Sequence, residues 1–220
     1  MKWLLFTLHE ETRIINGKTK KYEGLLMNDK MDFIENIGLN ERLNLHEIPE
    51  IDLYMDQVIQ LFENKFKETK RTDDEKILTK TMINNYAKAK VFFPIKNKKY
   101  TKRHLILLSL IYQLKGSLSI NEIKGILDPL NERIMKDDLS IDWLYEAFLK
   151  QTDKNAAIFT ESIETSMKEL KETAGASQEE DAEYFEELLA VASLAHMSQL
   201  YKRAAESLAA KIEDRQPKKG

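Results

Sequence analysis

The stretch Leu105-Ile106-Leu107-Leu108-Ser109-Leu110-Ile111-Tyr112-Gln113-Leu114 constrains this chain more than any other. Thr101 is placed to cap a helix there, and Gly116 to end it. A helix that is apolar nearly all round is a buried one, so this segment is expected inside the core. Only seven glycines and four prolines punctuate the 220 residues, which is too little turn chemistry for the many short strands of a sandwich or barrel. The expected class is mainly α. The length allows one compact domain with a helical extension, or two small domains. With 42% hydrophobic and 32% charged residues, the chain has enough apolar material to fold.

The segments around the buried helix supply the rest of a small helical unit. Ile51, Tyr54, Met55, Val58, Leu61, Phe62 and Phe66 recur at three- and four-residue intervals after Pro49, the pattern of an amphipathic helix. Glu68 to Glu75 is polar and aperiodic and reads as a loop. Thr79 can cap a short second helix with Leu78, Met82, Ile83 and Tyr86 on one side and Lys80, Thr81, Asn84, Asn85 and Lys88 on the other. Val91-Phe92-Phe93-Pro94 ends that helix, and Ile95 to Tyr100 suits a small basic hairpin. Ser119-Ile120-Asn121-Glu122 is a capping box opening a helix whose Ile123, Ile126 and Leu127 face inward before Pro129. Beyond Leu130, Trp143 to Phe148 and Ile158 to Leu170 read as two helices. Glu172 to Glu180 reads as a polar linker, and Asp181 to Ile212 as a last, alanine-rich helix. Near the start, Asn16-Gly17 favours a type I′ hairpin turn, and Met27 and Met31 are further candidate start positions.

Composition and charge exclude several function classes. There are no cysteines, so disulfides, thiolate metal sites, iron–sulfur clusters and cysteine nucleophiles are ruled out together. Their absence fits a reducing cytoplasm. The apolar burst Met1 to Phe6 stops at His9-Glu10-Glu11, too short for a signal sequence or a membrane span. Cytoplasmic residence is the expectation. His9, His46, His104 and His196 lack metal-ligand spacing, and no glycine-rich phosphate loop is present, so neither an enzyme nor a cofactor is expected. His104 follows Lys102-Arg103 at a helix start, where packing competes with a phosphate contact. Trp3 and Trp143 are expected to fill core or interface.

Net charge is only −3, but its distribution is uneven. Lys76 to Asn121 holds ten Lys or Arg and no Asp or Glu, leaving 24 basic and 37 acidic residues, net −13, for the remainder. Such asymmetry hints at a polyanion partner, and a lysine-rich solvated face explains the charge equally well. The order helix, loop, short helix with a polar outer face, basic hairpin, buried helix, capped helix is that of a winged helix-turn-helix. In such modules the second helix enters the major groove, whose donors and acceptors Asn and Lys can read. Asn is a poor helix former, so two in a row on an exposed face invite a functional reason; the alternative is neutral surface drift.

Three stretches carry a resemblance: Leu78 to Tyr86, Val91 to Pro94 with Lys98-Lys99-Tyr100-Thr101, and Leu118 to Ile123. They look like the DNA-binding half of the mercury-resistance-regulator (MerR) superfamily. They resemble still more a bacterial domain family of unknown function that shares this core and starts with Ile48-Pro49-Glu50-Ile51-Asp52. The resemblance covers about Ile48 to Leu130. Where MerR-type proteins commonly carry Arg-Tyr-Tyr-Glu on the second helix, this chain has Asn84-Asn85-Tyr86-Ala87, so only Tyr86 is matched. Lys90 takes the place of a usual turn glycine, and Lys99 stands where an arginine precedes the wing tyrosine, Tyr100. The thiolate effector sites of metal-sensing members have no counterpart.

The expectation is therefore a sequence-specific DNA-binding transcriptional regulator, by preference a repressor. It would carry an N-terminal extension (1–47), a winged helix-turn-helix (48–130) and a C-terminal helical region for dimerisation or effector binding (131–220). Expected DNA contacts are Thr79, Lys80, Thr81, Asn84, Asn85, Tyr86 and Lys88 on the second helix. In and after the wing they are Lys96, Lys98, Lys99, Tyr100, Lys102 and Arg103. Expected partners are double-stranded DNA, a second copy of the chain, and an unidentified small-molecule or protein effector. The alternatives are a helix-turn-helix-derived protein-interaction module, such as an antirepressor, and a small-molecule-binding helical protein.

Overall fold

The computed structural model describes residues 14–15, 18–19, 34, 37–175 and 181–216. Trp3, Met27, Met31 and the 176–180 part of the expected linker lie outside them. The strands that Asn16-Gly17 is expected to join, β1 (Ile14–Ile15) and β2 (Lys18–Thr19), pair antiparallel with Ile14 opposite Thr19; the Asn-Gly pair itself lies outside the described residues. The chain is otherwise mainly helical: β3 (Leu53–Tyr54), α1 (Met55–Lys65), α2 (Lys80–Lys88), β4 (Lys99–Tyr100), α3 (Lys102–Leu114), α4 (Ile120–Met135), α5 (Ile141–Gly175) and α6 (Ala182–Asp214).

α3 is the buried helix that its sequence requires, with every residue from His104 to Ser109, and Ile111, out of solvent. α1 lays Val58 and Phe62 on it, and Phe66, one turn further along the same face, is also fully buried. Thr79 caps α2, its Oγ1 accepting from Met82 N–H at 3.1 Å. At the other end of α2, Lys90 N–H donates to Ala87 O at 3.1 Å and Val91 N–H to Tyr86 O at 3.0 Å. That bonding pattern is a Schellman motif, with Lys90 at the left-handed position (φ 57°) that glycine usually fills. The chain next turns tightly at Asn97 (φ 52°) and Lys98 (φ 60°). Two successive positive φ angles belong to a type I′ turn, and Lys96 and Lys99 bridge across it.

Three expectations are corrected. The helix after Pro49 begins at Met55, because residues 53–54 form a strand that pairs with β4, Leu53 opposite Tyr100 and Tyr54 opposite Lys99. Ile51 and Tyr54 are consequently exposed instead of facing inward. Secondly, α4 runs through Pro129 to Met135. Proline has no N–H to give the carbonyl four residues back, which here is Gly125 O; Gln216 at the far end of the chain supplies the missing donor, its Nε2 lying 2.7 Å from that oxygen. Thirdly, the two helices expected at 143–148 and 158–170 are one, α5, which continues through Gly175 into the expected linker. Trp143 on it is 65% exposed and fills no core within the chain.

One core joins Leu43, Ile48 and α1 to α3 with Ile134 of α4, Ile141 and Tyr145 of α5 and Ala209 of α6. Tyr145 ties three of these parts together. Its hydroxyl donates to Leu43 O at 2.6 Å and shares a 2.8 Å hydrogen bond with Ser109 Oγ.

Candidate nucleic-acid interface

The amphipathic spacing of α2 decides which side chains reach solvent. Ile83 and Tyr86 are buried, and that leaves Lys80, Thr81, Asn84, Asn85 and Lys88 exposed on the opposite side. Thr79 is half-buried as the cap. The Asn97–Lys98 turn exposes Lys96, Asn97 and Lys98, while Lys99 is half-buried.

These two surfaces are joined. Lys80 Nζ lies 2.8 Å from Asp56 Oδ1, and Lys99 Nζ lies 5.5 Å from the centre of the exposed Tyr54 ring. Tyr54 and Asp56 are two residues apart at the entry to α1, so the chain Lys80–Asp56–Tyr54–Lys99 makes one continuous strip from α2 to β4. Among the described residues no carboxylate pairs with Lys88, Lys90, Lys96, Lys98 or Lys99. Within the described residues those five charges are left for an external anion.

Other expected contact residues make contacts within the chain, two of them in the core and two in ion pairs. Tyr86 and Tyr100 belong to the core, at 8% and 1% exposure; burial raises both phenols' pKa values above the ordinary one. Among the described residues Tyr100 Oη has no hydrogen-bond partner. Lys102 is mostly buried between Glu50 Oε1 at 2.7 Å and Asp142 Oδ2 at 3.1 Å. Its pKa is raised by the Glu50 hydrogen bond, with partial burial opposing and Asp142 adding to the rise. Arg103 pairs with Asp137 and donates to Ile134 O at 3.3 Å. Lys102 and Arg103 thus clamp the start of α3 to the segment before β3 and to the α4–α5 turn. They border a cleft of about 1410 Å3 that also takes in Lys96, Asn97, Glu50 and Asp142, a wall of mixed charge.

His104 is a packing residue. Its Nδ1 accepts from Thr101 N–H at 3.1 Å, the role that glutamate plays in a capping box, and its Nε2 lies 3.2 Å from Phe93 O, to which it donates. Stacked against Phe93 at 3.9 Å, it is neutral, and burial pushes its pKa down to about 4. Its neighbour Asn131 is a further structural polar group, absent from the sequence reading. Oδ1 accepts from Phe93 N–H at 3.0 Å and Nδ2 donates to Val91 O at 2.9 Å, fixing the chain that leaves α2.

Sequence reasoning also missed Tyr54, Asp56 and the acidic partners of Lys102 and Arg103. No local signal marks them, because each is brought in by β3–β4 pairing or by the α4–α5 turn. Among the described residues no group of three His, Asp or Glu could hold a metal ion, and no helix is long and apolar enough to cross a membrane.

Residues 43–148 match the model of a family described as Domain of unknown function (DUF1836). The matched stretch, just under half of the chain, contains α1 to α4, the Asn97–Lys98 turn and the first turns of α5. The match names nothing finer. No curated protein matches the chain, and no solved structure matches it.

Proposed function

We propose that this chain is a sequence-specific DNA-binding transcriptional regulator, acting as a repressor, with a MerR-like winged helix-turn-helix between about Ile48 and Leu130. The observation that supports this most is the strip joining the exposed face of α2 to the wing turn through Tyr54 and Asp56. A helix and a basic turn on one surface can address a groove and the flanking phosphates together. In this reading Thr81, Asn84 and Asn85 meet base edges, and Lys88, Lys96, Lys98 and Lys99 meet phosphates. Tyr86, Tyr100, Lys102, Arg103 and Thr79 hold the reading elements in place without touching DNA. The 131–220 region serves assembly or an effector.

Base contacts carry sequence information and phosphate contacts do not, so substitutions at the two places should fail differently. Asn84→Ala and Asn85→Ala each lose about 1–3 kcal/mol on the preferred site and little on random DNA. Lys98→Ala weakens both DNAs alike and lowers the salt slope by about one unit. Quantitative footprinting of the preferred site, with a random duplex as control, checks both. If the asparagine variants bind both DNAs as the parent does, α2 is not the reader.

A second reading is a helix-turn-helix-derived module that binds another protein. The pairing of Lys102 with Glu50 and Asp142 favours it, since that charge is largely taken up within the chain. Retained partner capture without any affinity for duplex DNA would select it.

A further inference from the structure

The strip that joins α2 to β4 carries one carboxylate on a surface otherwise made of cations, amides and hydroxyls. Of Tyr54, Asp56, Lys99 and the exposed side chains of α2, only Asp56 is acidic. A carboxylate repels phosphate and so lowers the affinity of a surface for a polyanion. The dipole of α1 favours an acid in its first turn, which accounts for the residue type at this position but not for its reach to a second helix. Asp56 Oδ1 accepts a 2.8 Å hydrogen bond from Nζ of Lys80, the first residue of α2.

Both members of the pair stay open to solvent, the Asp56 side chain 74% and the Lys80 side chain 65% exposed. An ammonium has three N–H donors and a carboxylate about four acceptor sites, so the bond between them leaves each with capacity. The pair therefore presents a donor and an acceptor side by side at the start of α2. In the major groove a G·C pair presents the complement: guanine O6 and N7 accept, and the cytosine N4 amino group beside them donates. With the ammonium over the purine, an A·T pair would set donor against donor at adenine N6 and acceptor against acceptor at thymine O4. Turning either base pair round brings a purine N7 against the carboxylate.

We infer that Asp56 and Lys80 together read one G·C base pair, Lys80 donating to guanine and Asp56 accepting from cytosine N4. The inference rests on the DNA reading above and adds what α2 selects at its N-terminal end, the part of a recognition helix that meets base edges. The helix also sets where that base pair lies. Lys80 and Asn84 are four residues apart, about 6 Å along the axis, close to two base steps of about 3.4 Å. The G·C pair should therefore stand about two steps from the base that Asn84 contacts. Asp56 has a second effect: by holding Lys80 at the base edge and repelling phosphate, it lowers affinity for random DNA while raising selectivity.

Selection from a pool of randomised duplexes with the full-length protein gives the preferred site, and the position whose preference Asn84→Ala abolishes marks the Asn84 contact. The selected duplex, the same duplex with its G·C pair replaced by A·T, and a random duplex are then titrated. For the parent, the replacement should weaken binding by about 5- to 150-fold, the range of one good base contact. Asp56→Ala should bring that ratio within about twofold. The same variant should bind the random duplex several-fold more tightly than the parent and steepen its salt slope by about 0.9, because the freed Lys80 reaches phosphate. Lys80→Ala should lose the same preference with no gain on random DNA. A folding defect would weaken both duplexes, so the opposite signs expected of Asp56→Ala set it apart. An Asp56→Ala variant that keeps the parent's preference or binds the random duplex no better overturns the inference and leaves the DNA reading standing, as does a selected site with no G·C preference near the Asn84 contact. A parent that binds neither duplex overturns both.

Discussion

Asn131→Leu is expected to lower the unfolding free energy by about 2–4 kcal/mol. Leucine matches the shape of asparagine but leaves Phe93 N–H and Val91 O without partners, and each buried polar group so stranded costs about 1–3 kcal/mol. Asn131 is 5% exposed and Val91 fully buried, so water has little access to the Val91 side of the defect. The effect should reach α2 as well, because residues 91–93 carry the chain away from it and Asn131 is their link to α4. Urea unfolding of parent and variant measures the loss. A change below about 0.5 kcal/mol, the usual scale of a surface substitution, would show that these bonds do not hold the turn.

Acidification from pH 6.5 to 4.5 should remove roughly 2–3 kcal/mol of stability through His104 alone. Burial keeps its folded-state pKa at about 4 against 6.5 in the open chain. Between these values the unfolded chain takes up a proton that the folded one refuses, so stability falls as pH falls through 6.5 and levels off near 4. Refusal has a structural cause: a protonated ring has no lone pair at Nδ1 to accept Thr101 N–H, and its charge would sit among Phe92, Phe93 and Tyr100. The window separates this effect from the carboxylates. Partial burial works against ionisation of Glu47 and Glu63, but hydrogen bonds from Lys65 and Asn44, and from Lys70 and Ile77 N–H, outweigh it and hold both below the usual value; their contribution is lost only at lower pH. His104→Gln keeps a capping acceptor at that helix position. It should be less stable at pH 7 and nearly flat from 6.5 to 4.5. A parent whose urea midpoint does not move over that range would contradict this account of His104.

What the sequence made legible were features with local causes. Thr79 and Ser119 cap their helices through residues three positions on, the α3 run is buried because no face of it is polar, and α2 divides into Ile83 and Tyr86 inside, Asn84 and Asn85 outside. What escaped depends on distant partners. A two-residue strand such as β3 has no periodicity of its own and exists because β4, some 46 positions later, pairs with it. Pro129 fails to end α4 because a donor 91 residues from Gly125 satisfies the carbonyl that proline cannot. α5 reads as two helices because its Lys150-to-Ala157 middle is polar, although Thr152 and Ala156 keep the inward spacing of Tyr145, Phe148, Phe159 and Ile163. For the candidate interface, element order, spacing and resemblance named thirteen contacts; the structure buries Tyr86 and Tyr100, pairs Lys102 and Arg103 with carboxylates, and sets Tyr54 and Asp56 beside Lys99 and Lys80.

The claim that this surface binds DNA is tested most directly by titrating the full-length protein against a fluorescent random-sequence duplex at several salt concentrations. Each phosphate neutralised contributes a slope of about −0.9 in log affinity against log salt, so three to five of that surface's lysines should give a slope of about −2.7 to −4.5. From 50 to 200 mM salt that is a fall of about 40- to 500-fold. Binding with a slope in that range is the result the account predicts. No binding at micromolar protein in 50 mM salt, or an affinity that hardly changes across the series, would contradict it.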